Sequence, residues 1–228
     1  MSGLFQEERK FGVHKTQLLS RRWITEDAFE IRFSRPPLFQ FAPGQRVRFI
    51  RNEGERDYTP VSSPQEEGID FLVKSVKGGL FSSALASARE GDPFHFTGPH
   101  GYFRFYPSER LPVFVATGTG VAPFVAMARA GVKDFILLHG VQRFLDLYYE
   151  PLLRKTARLY VPCLSTERDP REKVPGAFAG RVTGYLADHL ASGAYDFYLC
   201  GNADMLRDVM LLVDQKFPDS LVYTEPFF

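Results

Sequence analysis

The sequence predicts two domains in series: an antiparallel β-barrel over residues 1–106, then an α/β domain with a parallel sheet over residues 107–228. Three observations carry this expectation. The first half alternates short β-type runs with turn signals and holds one convincing helix, the pattern of a small barrel. A continuous apolar run, Leu111–Ala116, then has the character of a strand buried on both faces. After it strands and helices alternate, which is how a parallel sheet is built. With 228 residues and 44% hydrophobic content, the chain has core enough for two small domains.

In the barrel half the strand candidates are Gly12–Leu19, Ala28–Phe33, Gln45–Ile50, Asp57–Val61, Ile69–Val76 and Pro93–Thr97. Turn formers separate them at Pro36-Pro37, Pro43-Gly44, Asn52-Glu53-Gly54 and Glu67-Gly68. The helix is Phe81–Ala88, directly after Gly78-Gly79. The boundary falls near Tyr106-Pro107-Ser108. Beyond it, strands are expected at Leu111–Ala116, Asp134–His139, Arg158–Leu164, Asp196–Cys200 and Leu221–Thr224. Helices are expected at Val121–Arg129, Leu145–Lys155, Thr183–Ala191 and Ala203–Lys216.

Composition removes several function classes. Lys+Arg 28 against Asp+Glu 27 gives a net charge of +1, so no basic field points to nucleic acid. Two distant cysteines, Cys163 and Cys200, make no disulfide framework and fit a reduced, cytoplasmic setting. They cannot supply the four thiolates of a ferredoxin-type cluster, nor a zinc site with five scattered histidines, so no metal is expected. No apolar run is long enough to span a membrane, and Met1 to Lys10 has no signal-peptide core.

Two segments carry chemistry in the first half. Arg56-Asp57-Tyr58-Thr59-Pro60-Val61-Ser62-Ser63 places a cation, a flat ring and a hydroxyl within four residues. Gly78-Gly79-Leu80-Phe81-Ser82 offers backbone N–H groups and a hydroxyl at a helix start. A phosphate seeks Arg and a helix N-terminus, and a planar ring seeks an aromatic face. Against this, Tyr58 also reads as a half-buried sheet tyrosine, and Ser82 and Ser83 as helix caps. In the second half Thr117-Gly118-Thr119-Gly120 joins a buried strand to a helix, where glycine lets a pyrophosphate approach the backbone. A glycine-tolerant tight turn is an equal reading. Cys200-Gly201-Asn202 again ends a strand and starts a helix; a lone cysteine there also reads as a small buried hydrophobe. The arginine groups Arg21-Arg22 and Arg46/Arg48/Arg51 read first as solvated faces and second as a place for partner docking.

The order Arg56-x-Tyr58-Thr59, Gly78-Gly79-x-x-Ser82, Gly98-Pro99-x-Gly101-x-Phe103, Thr117-Gly118-Thr119-Gly120, Cys200-Gly201-Asn202 and Glu225-x-Phe227 resembles the ferredoxin–NAD(P) reductase superfamily over essentially the whole chain. The resemblance implies that Arg56, Gly79 and Ser82 hold flavin phosphate, that Tyr58 stacks on the isoalloxazine and that Thr59 lies near its N5. It implies that Thr117, Gly118, Thr119, Gly120 and Gly201 receive the nicotinamide nucleotide, with Cys200 near the nicotinamide. Glu225 matches a glutamate that relays protons, and Phe227 or Phe228 covers the other flavin face. On the ribose side, Ser165 and Thr166 stand where NADPH-specific relatives carry a Ser-Arg pair; Gly180-Arg181 is kept, and Gln142 fills the remaining arginine place beside Arg143. Glu167 would repel a 2′-phosphate, although Arg168 is adjacent, so NADH is expected ahead of NADPH. FAD is expected over FMN by family habit. The implied activity is hydride exchange between NAD(P)H and FAD, with single electrons passed to a separate iron–sulfur or other redox protein. Reduction of free flavin or small acceptors, and service as an electron-entry subunit, are the alternatives.

Overall fold

A computed structural model describes residues 12–51, 54–166 and 174–226 of the chain. It divides into two compact units, one ending at Arg104 and the other opening at Phe105.

The first unit is a six-stranded antiparallel sheet: β1 (His14–Trp23), β2 (Ala28–Ser34), β3 (Arg46–Arg51), β4 (Gly54–Tyr58), β5 (Gly68–Lys74) and β6 (Pro93–His100). The strand order is β4-β3-β6-β1-β2-β5. Past the end of β4, Pro60 bridges Phe71 and the Val61 N–H donates to the Asp70 carbonyl at 2.8 Å, so the two edges of the sheet are stitched together. Strand alternation sends Phe33, Phe49, Phe71, Phe94 and Phe96 inward, where they meet edge-on or tilted at 5.0–6.3 Å. The abundance of phenylalanine in the first half is therefore core, as the packed interior of a small barrel requires. Helix α1 (Leu80–Ser87) plugs this core with Phe81 and Leu85.

The second unit is a six-stranded parallel sheet of order β10-β9-β8-β7-β11-β12. Its strands are β7 (Leu111–Thr117), β8 (Ile136–Val141), β9 (Leu159–Leu164), β10 (Phe178–Ala179), β11 (Tyr195–Gly201) and β12 (Leu221–Pro226). The helices are α2 (Ala122–Arg129), α3 (Glu150–Thr156), α4 (Val182–Asp188) and α5 (Ala203–Lys216). Val113 and Val115 of β7 face one core with Leu186 of α4 and Val209 of α5. Phe114 between them faces the other way and stacks on Phe124 and Phe135 at 4.6 and 4.5 Å. That two-sided burial is why β7 is apolar without interruption.

Three elements depart from the sequence expectation. Strand β4 runs Gly54–Tyr58 and not Asp57–Val61, because Pro60 has no N–H and the chain bends there to reach β5. The helix expected over Leu145–Lys155 splits into a 3₁₀ turn, Phe144–Asp146, and α3, because Tyr149 takes a left-handed φ of 57° and Pro151 favours a first turn. Strand β10 was not expected; two residues are too few to show a period.

Candidate functional site

The first cluster lies on β4 and the residues after it. Alternation puts Arg56 and Tyr58 on one face of the strand and Asp57 on the other. Asp57 faces β3, where it binds Arg46 at 2.9 Å and Arg48 at 2.8 Å. Burial alone would push the Asp57 carboxyl up, but the hydrogen bonds and charges of Arg48 and Arg46 outweigh it and hold the group below the ordinary carboxylate range. The β3 arginines expected as a solvated face are thus bound at two positions by the residue between Arg56 and Tyr58; Arg51 lies over the Phe94 ring at 4.7 Å. The exposed guanidinium of Arg56 donates to the Glu55 carbonyl at 2.6 Å and meets no carboxylate among the described residues.

Tyr58 is half-buried. Its ring packs against Phe49, Phe71 and Phe81 at 6.0–6.4 Å. Burial pushes its phenol up to about 12, with the Arg56 charge acting against the rise. Thr59 is 3% exposed, and its hydroxyl oxygen is a buried polar atom with no hydrogen-bond partner among the described residues. Such an atom costs about 1–3 kcal/mol unless something else completes it.

The contact of Tyr58 with Phe81 joins this strand to the start of α1. Gly79 is the N-cap residue and no side chain caps the helix, so its first N–H groups are left for an external acceptor. Ser82 caps nothing. Its hydroxyl accepts from the Val76 N–H at 3.2 Å and lies 3.4 Å from the Gly79 carbonyl, closing the turn on itself. A Cβ at Gly79 would sit 2.9 Å from the Ser82 oxygen and 3.0 Å from the Val76 carbonyl, so the turn needs glycine there. An aromatic face, a cation, an uncapped helix start and an orphaned buried hydroxyl fit a ligand carrying both a planar ring and a phosphate.

In the second unit every candidate falls at the carboxyl ends of the parallel strands, where open sheets bind ligands. Thr117 ends β7, and residues Gly118–Val121 form a 3₁₀ turn leading into α2. Gly201 ends β11. A Cβ at Gly120 would lie 2.4 Å from the Cys200 carbonyl oxygen, and one at Gly201 would lie 2.1 Å from the Thr117 hydroxyl oxygen. These two glycines let the turns after β7 and β11 touch, and the Asn202 N–H donates to the Thr117 hydroxyl at 2.9 Å. The Asn202 side chain caps α5 by accepting from the Asp204 and Met205 N–H groups.

Cys200 is fully buried, paired in register with Ala116 on one side and Glu225 on the other. Burial, and then the Glu225 charge, pushes its thiol well above its ordinary value, so it stays a neutral thiol. Glu225 is 9% exposed near the end of β12.

On the other flank, Ser165 follows β9 and Arg181 follows β10; the Gly180 N–H donates to the Leu164 carbonyl at 2.8 Å, which brings the two turns side by side. Ser165, Thr166 and Arg181 are exposed. Arg143, after β8, is held by Asp146 through two hydrogen bonds of 3.1 and 2.8 Å. Phe227, Phe228, Glu167 and Arg168 lie outside the described residues.

Sequence reasoning missed His139 and Tyr160. His139 sits inside an apolar strand and is fully buried, with Nε2 3.3 Å from the Gly118 carbonyl and Nδ1 3.1 Å from the Tyr160 hydroxyl. The only signal was a polar ring in the middle of a buried run.

Comparisons with known proteins agree with both halves. The family "Oxidoreductase FAD-binding domain" matches residues 15–105, and "Oxidoreductase NAD-binding domain" matches residues 114–210. The reductase component of propane 2-monooxygenase from Mycolicibacterium goodii is 28% identical over 94% of this chain and 68% of its own. The electron transfer component of toluate 1,2-dioxygenase from Pseudomonas putida is 33% identical over 74% of this chain, which spans 53% of that relative. A ferredoxin NADP+ reductase from Neisseria gonorrhoeae, solved with bound FAD and NADP, has the same fold: TM-score 0.79, 20% identity, 95% of this chain and 99% of that one.

Proposed function

The chain belongs to the ferredoxin–NAD(P) reductase superfamily, and on that premise we propose that it takes a hydride from NADH onto FAD and passes single electrons to a separate redox protein. FAD, when bound, supplies the conversion from two-electron to one-electron chemistry. The chain's own residues bind and orient. Arg56 and the N–H groups at the start of α1, shaped by Gly79 and Ser82, hold the flavin phosphates. Tyr58 lies against the ring, and the Thr59 hydroxyl bonds its N5 edge. Thr117 to Gly120 and Gly201 receive the nucleotide phosphates. Cys200 presents a neutral thiol to the nicotinamide, and Glu225 carries protons. Phe227 or Phe228 covers the remaining face of the ring; removing both should strengthen the nicotinamide–flavin charge-transfer band, and an unchanged band would end that role.

The observation that carries the flavin site is the buried Thr59 hydroxyl, which has no partner among the described residues, next to a half-buried ring and an arginine that meets no carboxylate among them.

The electron partner is proposed from the relatives, whose names describe a reductase component and an electron transfer component. An iron–sulfur protein is the partner that the superfamily resemblance favours; Cys163 and Cys200 are both buried and free. The same free thiols support a reducing, cytoplasmic setting. No helix among the described residues is long and apolar enough to cross a membrane.

NADH is placed ahead of NADPH. Arg143 is engaged by Asp146, Thr166 stands where an arginine would clamp a 2′-phosphate, and Arg181 is exposed at the ribose side. Stopped-flow reduction with each nucleotide, followed by reoxidation with a panel of acceptors, tests the whole reading. Flavin reduced faster by NADH and reoxidised fastest by a ferredoxin is expected. A clear preference for NADPH, lost on Arg181→Ala, would overturn the nucleotide choice alone; reoxidation only by free flavin would overturn the partner.

A further inference from the structure

We propose that His139, backed by Tyr160, is a positioning residue that fixes the peptide plane between Gly118 and Thr119 and so aims the Thr119 N–H at the phosphates of a bound pyridine nucleotide. The inference rests on reading residues 117–120 as the nucleotide loop, and it names what holds that loop in its binding form.

Both ring nitrogens of His139 are engaged. Nε2 lies 3.3 Å from the Gly118 carbonyl oxygen and Nδ1 lies 3.1 Å from the Tyr160 hydroxyl. A carbonyl only accepts, so Nε2 must carry the proton. Burial pushes the imidazole down to about 4, against the opposing effects of the Gly118 bond and the Asp146 charge, so the ring is neutral near pH 7. Nδ1 is then a bare lone pair, and the Tyr160 hydroxyl must donate to it. Burial raises the Tyr160 phenol too, so its proton stays in place. The guanidinium of Arg154 sits over the Tyr160 ring at 4.9 Å and is itself bound by Glu150 at 2.8 Å. The hydrogen bonds thus run one way, from Tyr160 through His139 to the Gly118 carbonyl.

The consequence lies on the other side of that peptide. Among the described residues only Gly98–Pro99 is cis. The Gly118–Thr119 bond is therefore trans, and its C=O and N–H point in opposite directions. Holding the carbonyl inward on His139 turns the Thr119 N–H outward. The N–H groups at the start of a 3₁₀ turn have no intrahelical acceptor, so this donor is available. Gly118 has a φ of 53° and no Cβ to resist rotation of the next peptide. A flipped plane would present a carbonyl oxygen where an anion needs an N–H. Within the loop, the Thr117 hydroxyl accepts from the Asn202 N–H of the other turn. In the 3₁₀ turn the Gly118 carbonyl accepts from the Val121 N–H, and His139 adds a second donor to the same oxygen from the neighbouring strand.

The test compares the parent flavoprotein with His139→Leu, His139→Gln and Tyr160→Phe. Gln places an amide N–H near the position of Nε2 and should restore the donor; Leu cannot. By calorimetry, NAD+ binding to His139→Leu should weaken on the order of tenfold, the loss of one hydrogen bond to a part-buried carbonyl. His139→Gln should bind within about threefold of the parent, and Tyr160→Phe should fall between them. The kcat at saturating NADH and the flavin content should not change, which separates positioning from general damage. Nitrogen-15 NMR of the parent should show an Nε2–H tautomer that does not titrate above about pH 5. Parent-like NAD+ affinity in His139→Leu, or an Nδ1–H tautomer in the parent, would overturn the inference. If His139→Leu does not fold, equal affinities of His139→Gln and Tyr160→Phe would overturn it. A parent that binds neither NAD+ nor NADP+ would remove the nucleotide loop reading itself, and this inference with it.

Discussion

Acidification from about pH 7.5 to about pH 5 should cost the folded chain about 2 kcal/mol through His139 alone. The imidazole is fully buried, and burial holds its pKa at about 4 against an ordinary 6.5. Between those values the unfolded chain binds a proton that the folded chain refuses. Stability from this group is complete above the ordinary value, falls as the pH drops through the interval, and is fully lost below about 4. The whole gap is worth about 3 kcal/mol at about 1.36 kcal/mol per pH unit, and most of it has gone by about pH 5. Against a typical domain stability of about 5–15 kcal/mol, the effect is large enough to measure. Asp57 has the same sign but acts lower: its carboxyl is depressed below 3.8, so its contribution is lost only as the pH falls further. His100 is lowered by burial and then by Arg48, and it adds to the same interval as His139. The comparison is therefore with His139→Gln, which keeps a donor and removes the ionisation. Urea unfolding followed by circular dichroism at several pH values gives the two curves. The parent should lose about 2 kcal/mol more than the variant between the two pH values. Parallel curves would refute the buried neutral imidazole.

Other substitutions separate the two half-sites. Gly120→Ala places a Cβ 2.4 Å from a backbone oxygen that cannot move aside, so it should destabilise by about 1–3 kcal/mol and weaken NAD+ binding without loss of flavin; unchanged binding by calorimetry would detach the two turns from nucleotide recognition. Thr59→Val removes a buried hydroxyl that has no partner among the described residues, so the flavin-free protein should be as stable as the parent or more so, whereas the bound-flavin spectrum should shift. A loss of stability in the flavin-free form with an unchanged spectrum would mean that the hydroxyl serves the fold.

Much of this was legible because the local and long-range signals agree. Helix α5 begins and ends where its sequence indicates, since Asn202 is a good cap and the apolar positions of Ala203–Lys216 have a helical period. The paired arginine and tyrosine of β4 were legible as a motif, although the strand register was not, because Pro60 imposes a bend that alternation alone conceals. The split before α3 depends on the left-handed Tyr149, a conformation that a tyrosine does not advertise. His139 and Tyr160 escaped notice for a different reason. They lie 21 residues apart on neighbouring strands, and each alone resembles ordinary core. Their connection to Gly118 exists only once the parallel sheet sets β7, β8 and β9 side by side. The role of Asp57 in binding Arg46 and Arg48 was likewise invisible without the pairing of β3 with β4.

Bound flavin, measured in the parent and in an Arg56→Ala, Tyr58→Ala double variant, tests the central claim most directly. The account predicts a yellow parent carrying close to one FAD per chain, bleached by NADH without oxygen. In the double variant, loss of ring stacking and of the phosphate cation together should weaken binding by roughly 2–5 kcal/mol, enough to lose most flavin on purification. A double variant that retains full flavin with an unchanged spectrum would contradict the assignment of the site to this strand and helix start.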